Sequence, residues 1–380
     1  MITQTGGTWY TRADYLDFNL KCLFYAGLWP NEKWSRNKQK IYKIYEVTLF
    51  IMSFTFMFIT SIGIYMAKSG DTIFFFADVD KNIVTYNYIF KIIAFFTKRN
   101  EVKTLINYII YSGDRITDQR KKLMVTHVIV VTGMILALTG VFQILALMKG
   151  ELIIVAWFPF DPMKNQWSLF LAEQLLVILF AVPCVFRAIS IQGIVCSIIM
   201  YICDQLTELQ SRLKNLNYSV ETAAETKEEL KLIIKKHIRL MGYAQSLSYA
   251  FKEYFLIQNL AVTAEFGLNA LMVSIVGADQ KKHLLSFIAF LMLALVNAYI
   301  FCFLGNKLMD ESTCIALAAY ESSWISWPVS MQKDVLLIIT VAQRSFKLTA
   351  GGMAYMSMQT FAQALYNGYS MFAVVRDLVN

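Results

Sequence analysis

Runs of about 20 residues or more that are nearly free of charge recur along this chain, separated by segments dense in lysine and arginine, and no other feature narrows the possible folds as much. A run of that length, wound as a helix, crosses a hydrocarbon core roughly 30 Å thick. Seven such spans are predicted. The first covers 47–67. The second, 72–97, carries Asp78, Asp80, Lys81 and Lys91 but is rich in Phe and Ile, and is read as a crossing helix with its acidic end near the surface. The third, 123–148, contains only His127. An irregular piece with Trp157, Pro159, Asp161 and Pro162 precedes the fourth, 167–202, which is longer than a bilayer needs and holds Glu173, Pro183 and Arg187. The fifth, 255–276, contains Glu265; the sixth is 284–304 and the seventh 348–375. The expected fold is therefore an all-α membrane protein with seven transmembrane helices.

Composition agrees. Hydrophobic residues make up 57% and charged ones 16% of the 380 residues, against about 45–50% and about 25% in ordinary globular domains. The formal charge of +8 does not point to nucleic acid, because the Lys and Arg are confined to particular loops. About 25 of them fall on the side shared by the amino terminus and the loops after spans two, four and six, against about six on the other side. That asymmetry predicts a cytosolic amino terminus and an extracellular carboxyl terminus, the inverse of a G-protein-coupled receptor. The glycosylation sequon at Asn217 then lies inside, and a sugar found there would overturn the topology. The opening residues lack a basic start followed by an apolar core, so the first span is expected to insert itself. Cys184, Cys196, Cys203 and Cys302 lie in or beside spans, Cys22 and Cys314 in cytosolic segments, and no structural disulfide is expected.

The organisation that follows is an amino-terminal segment with spans one to four (1–203), a cytosolic helical loop (204–254), spans five and six (255–305), a cytosolic anchor segment (306–347) and a final helix (348–380). In the loop, Thr222 and Glu225 form a capping-box pattern ahead of Leu230, Ile233, Ile234, Ile238 and Met241 at helical spacing. That amphipathic helix can lie on lipid or pack against a copy of itself.

No catalytic constellation is present. His127, His237 and His283 have no metal-like spacing, and there is no phosphate loop, nucleophile elbow or HExxH. Neither an enzyme nor a cofactor is expected. What the chain offers is 28 Phe, 20 Tyr and 18 Met, many of them in the spans, side chains that can enclose a small apolar molecule by shape and dispersion. The outer halves of spans two to six nominate Phe75, Tyr86, Phe142, Phe170 and Phe266. Glu173, Arg187 and Glu265 attract attention because unpaired charge is costly in a membrane. The expectation is that Glu173 lies near the outer surface and that Arg187 pairs internally or faces water.

The last span is amphipathic in a particular way. Gln363, Asn367, Ser370, Val374 and then Asp377 or Leu378 follow at steps of three or four, so they stack along one face, with Met353, Met356, Leu365, Met371, Phe372 and Val375 covering much of the remainder. Such a helix can line a pore, or its amides and hydroxyls can bond to neighbouring helices. Gly351, Gly352 and Gly368 fit tight packing under either reading.

Several short patterns in order along nearly the whole chain resemble the insect odorant receptors: Gly27-Leu28-Trp29-Pro30 near the start, Asp204-Gln205-Leu206 with Glu208-Leu209 after span four, Ala319-Tyr320 with Trp324, and Lys347-Leu348-Thr349-Ala350-Gly351 leading to Phe361 and Tyr369-Ser370 with Phe372. The resemblance implies an odorant-gated nonselective cation channel, a tetramer whose seventh helices line one pore and whose cytosolic helices anchor the subunits. It implies Val374 as the hydrophobic gate, Asp377 and Leu378 at the outer mouth, and Ser370, Asn367 and Gln363 on the pore face. Family endings often have Thr where this chain has Ala373. The chain's short second cytoplasmic loop resembles that of a ligand-tuning subunit rather than the co-receptor. Its implied partners are co-receptor subunits, a small volatile odorant, monovalent and divalent cations and the lipid bilayer, in the plasma membrane of olfactory neuron dendrites. A gustatory-type homotetramer and a G-protein-coupled receptor are the alternatives.

Overall fold

Long helices dominate the computed structural model, which describes residues 12–379 apart from 32–33, 68–71, 115, 117, 151, 153 and 276–280. α1 (Arg12–Tyr25) ends in a turn at Gly27, whose φ of 69° suits glycine, and leads to α2 (Arg36–Ala67). α3 (Thr72–Thr97) has the bounds expected of the second span, and its charged residues do not break it. The short α4 (Arg99–Ile110) buries Val102, Leu105, Ile106 and Ile109, one face at helical spacing. α5 (Asp118–Lys149) is followed by the proline-containing connection. α6 (Gln166–Phe180) opens on Asn165, whose Oδ1 accepts the Ser168 N–H at 2.7 Å while Ser168 Oγ accepts the Asn165 N–H at 3.1 Å.

The fourth span is not one α-helix. Pro183 has no N–H to give, and residues Ala181–Phe186 widen into a π turn before α7 (Arg187–Lys214) resumes. The largest departure from expectation concerns the loop helix and the fifth span, which form a single 53-residue helix, α8 (Ala223–Ile275). At about 1.5 Å per residue it is some 80 Å long, well over twice the hydrocarbon thickness. It begins at a Ser219/Thr222 pair in which each hydroxyl accepts the other residue's N–H. α9 (Lys281–Tyr320) likewise carries span six onward into the anchor segment, and α10 (Val329–Ala342) follows Pro328.

The seventh span also differs. Residues 348–357 are not helical. Thr349–Ala350 (β1) and Ala354–Tyr355 (β2) make a small antiparallel ribbon, and Gly351 and Gly352 turn it with φ of 62° and 76°. Both glycines serve that turn, and Gly351 also packs closely on Leu256 of α8, its N–H donating to the Lys252 carbonyl at 2.8 Å. α11 starts at Met358 and runs to Val379. Absence of charge marks the stretch as apolar but does not separate a short ribbon from a helix.

Three helical stretches among the described residues, Arg36–Met66, Gln166–Lys214 and Ala223–Val273, are long and apolar enough to cross a membrane by length and composition alone. The charged halves of α7, α8 and α9 pack with α1, α4 and α10 around the main apolar core, which includes Leu16, Leu23, Leu105, Ile202, Leu209, Ile233, Leu247, Ile315 and Val335. Asp114, in the loop after α4, ties this region together: it accepts from Tyr201 Oη and Arg239 Nη2 at 2.6 Å each, with Lys236 Nζ at 3.5 Å. Burial raises the carboxyl's proton affinity, and the Tyr201 hydrogen bond with the two cations more than offsets it, leaving the pKa below its ordinary value.

Candidate functional site

Four helices enclose a small cavity within the apolar bundle. Tyr88 of α3, Val131 and Met134 of α5, Ile189 and Gln192 of α7, and Val296 and Asn297 of α9 border about 30 Å³, room for roughly one water among the described residues. Its wall is aliphatic and aromatic with two polar points. Gln192 Nε2 and Asn297 Oδ1 are buried without a hydrogen-bond partner among the described residues, one a donor and one an acceptor, while Asn297 Nδ2 donates to Gln258 at 3.4 Å. Few polar anchors in an apolar shell are what orients a small ligand. Ile300 also borders a larger cavity of about 450 Å³ toward the charged end, lined in part by Tyr201, Asp204, Thr207, Phe303, Lys307 and Glu311.

Of the five aromatics nominated from sequence, Phe75, Tyr86, Phe170 and Phe266 line neither cavity. Phe75 sits beside Phe76 with ring centroids 5.8 Å apart. Tyr86 points its hydroxyl at Ser61 Oγ, 2.7 Å away. Phe170 is 46% exposed next to Trp167, and the Phe142 side chain lies outside the described residues. Phe266 packs against α11 at Gly368, where an added Cβ would collide with the ring. Tyr88, two residues beyond Tyr86, is turned about 200° around the helix and reaches the cavity instead. Aromatic content does not single out Gln192 and Asn297. Their amides inside apolar runs were the available signal.

The second feature is the outward face of α11. Gln363, Asn367 and Val374 are exposed, Val374 at 62%, and Ser370 is half-buried. Gln363 Nε2 donates to Asn367 Oδ1 at 2.9 Å along the stripe, and Ser370 Oγ donates to the Tyr366 carbonyl at 3.0 Å. The side chains of Asp377 and Leu378 lie outside the described residues. The opposite face is fixed by glycine contacts: Gly368 against Phe266, and Gly267 of α8 against Met371. Within one chain the polar stripe thus has no covering element among the described residues.

The charges singled out in the spans are inside. Glu173 is fully buried within the chain. Arg187 is also fully buried; its guanidinium lies 4.2 Å from the centroid of the Phe50 ring and makes no ion pair among the described residues, since Glu46 is held by Arg99 at 2.8 Å. Glu265 accepts from Asn87 Nδ2 at 3.5 Å.

Residues 82–369 match the family model described as 7tm Odorant receptor. Among curated proteins, Odorant receptor 10 of Aedes albopictus is 26% identical over 180 residues, 46% of this chain and 47% of that one. Odorant receptor 49a of Drosophila melanogaster is 27% identical over 184 residues, 47% of this chain and 46% of the relative. The matched segments thus span about half the length of these relatives. The solved insect olfactory receptor OR5 from Machilis hrabei superposes with a TM-score of 0.75 over 95% of this chain and 97% of its own, at 14% identity. The same receptor solved in complex with eugenol gives the same score at 15% identity, covering 96% of this chain and 98% of its own.

Proposed function

Since this chain belongs to the 7tm odorant receptor family, a polytopic helical membrane fold, we propose that it is the odorant-binding subunit of a ligand-gated, nonselective cation channel, assembled with co-receptor subunits as a heterotetramer. The observation that carries this reading is the α11 face: one side is locked to α8 by Gly267 and Gly368, while the polar stripe is left open. In a membrane, amides and a hydroxyl facing lipid are unfavourable, and a water-filled conduit shared with neighbouring subunits satisfies them. Val374 is then the apolar constriction, Asp377 and Leu378 follow it at the outer mouth, and Ser370, Asn367 and Gln363 lie on the inner side. The amino terminus and the bundle around Asp114 are cytosolic, and that bundle carries the subunit anchor.

The odorant binds where Tyr88, Gln192 and Asn297 meet. The eugenol complex of Machilis OR5 supports a small volatile molecule as the ligand class. A site of about 30 Å³ must widen to admit one, and Met134, with three rotatable bonds, is suited to yield. Phe266 stands between this bundle and α11, so its truncation changes opening more than affinity.

Co-expression with the co-receptor in oocytes, with a screen of volatile compounds under voltage clamp, tests the reading. Evoked cation current that needs both subunits and no G-protein reagents is expected. Current from this chain alone would favour a homotetramer, and its dependence on a G protein would overturn the channel reading.

A further inference from the structure

A polarity boundary runs across the cavity of about 450 Å³ that shares Ile300 with the smaller one. On α7 its lining passes from Met200 to Asp204 and Thr207, and on α9 from Tyr299 and Phe303 to Lys307 and Glu311, each set kept to one face by steps of three and four residues. Both helices run from the apolar bundle toward the charged end, so one half of the cavity is apolar and the other charged. From Ile300 to Glu311 α9 rises about 16 Å, and the sixth span ends near Leu304. The cavity therefore straddles the edge of the hydrocarbon core.

Its charged half holds donors that the chain leaves unused. Lys307 and His127 both border the cavity, both are half-buried, and neither has a hydrogen bond or an ion pair among the described residues. Carboxylates border the same space. Glu311 Oε2 accepts from Thr207 Oγ1 at 3.2 Å and from Gln210 Nε2 at 2.9 Å, which fixes the group and leaves it acceptor capacity to spare; Asp204 lies on the facing helix. Water suits this half alone, because beside Tyr299, Ile300 and Phe303 it finds few partners. A free anion meets the same objection, and two carboxylates oppose any headgroup that carries only negative charge. A phosphate, an ammonium and a hydrocarbon tail in one molecule answer all three surfaces. A primary ammonium brings three N–H donors to the carboxylates, and a quaternary one brings none.

We propose that this cavity holds an ethanolamine phospholipid drawn from the adjoining leaflet, which the topology proposed above makes the cytosolic one. Its phosphate lies on Lys307 and His127, its ammonium on Glu311 and Asp204, and the start of one acyl chain along Ile300 and Phe303. The volume suits a headgroup and a short length of chain. Tyr299 and Phe303 are 43% and 45% exposed, so the apolar half reaches the outside of the bundle, where the rest of the lipid stays in the bilayer. Ile300 separates that chain from the small cavity.

Native mass spectrometry of the purified full-length protein, offered equimolar phosphatidylethanolamine, phosphatidylcholine and phosphatidylglycerol with the same chains, tests the assignment. One ethanolamine-lipid adduct per chain is expected to outlast the others, by at least about fivefold over the glycerol lipid. Lys307→Met, and Met200→Trp to fill the apolar half, should each reduce that adduct by at least about fivefold, while Lys333→Met at an exposed position of α10 should not. Soluble phosphoethanolamine in large excess should leave it in place, since the headgroup alone gains nothing from the apolar half. Equal retention of the three lipids, preference for another headgroup, displacement by soluble phosphoethanolamine, or an adduct indifferent to both cavity variants would overturn the proposal. The lipid comparison on the unaltered chain decides even where a variant folds poorly, and it reads no current, so it fails or succeeds apart from the channel reading.

Discussion

His237 shows how much a single buried ring can report. It lies in the charged half of α8, 5% exposed, stacked on Phe346 with ring centroids 6.0 Å apart, and its Nε2 has no partner among the described residues. Burial depresses its pKa below the ordinary 6.5. The unfolded chain therefore takes up the proton first as pH falls. The stability of the neutral ring is complete above about pH 6.5 and is lost as pH drops from there toward the folded value, by no more than about 1.4 kcal/mol per pH unit for one proton. Melting temperature measured between pH 8 and pH 5 should fall in the acid half, and His237→Gln should flatten that slope; an unchanged slope would assign it elsewhere. Residue by residue, the sequence was least legible where partners come from distant segments. Asp114 gathers Tyr201, Lys236 and Arg239 from two distant helices. Nothing local to Gly113-Asp114-Arg115 foretells those contacts.

At the scale of elements, charge-free runs located helices well, and the one over 72–97 has its expected bounds in spite of four charges. Those charges were a puzzle in sequence because a linear reading cannot tell a charge facing lipid from one facing another helix. Asp80 is buried, and Lys91 faces α8, where it donates to Gln258. Runs do not show where a helix stops when apolar and charged segments are wound on one axis, as in α8 and α9, nor where a glycine turn interrupts an apolar stretch, as at Gly351 and Gly352. Gly368 is the element-scale test. Any Cβ there meets the Phe266 ring, so Gly368→Ala should push α11 off α8, reducing evoked current at least tenfold or opening the channel at rest, while surface expression holds. Combining it with Phe266→Ala should restore much of the normal response, since the added methyl then has room. Wild-type current from the single variant would show that the seam is loose.

For the whole molecule, the fold and the stripe on α11 were both legible, because each depends on periodicity within one segment. The cavity was not. It is assembled from α3, α5, α7 and α9, and only their packing brings Tyr88, Gln192 and Asn297 together. The same packing leaves the polar face of α11 without a neighbour among the described residues. Cysteines placed singly at Gln363, Asn367, Ser370 and Val374, and at Ala364, Leu365 and Met371 as controls, can be treated with a charged methanethiosulfonate reagent during odorant-evoked current from the co-expressed channel. Rapid modification that blocks current at the first four positions and leaves the controls untouched is the expected result. Equal reactivity on both faces, or none at the stripe, would contradict a conduit lined by α11.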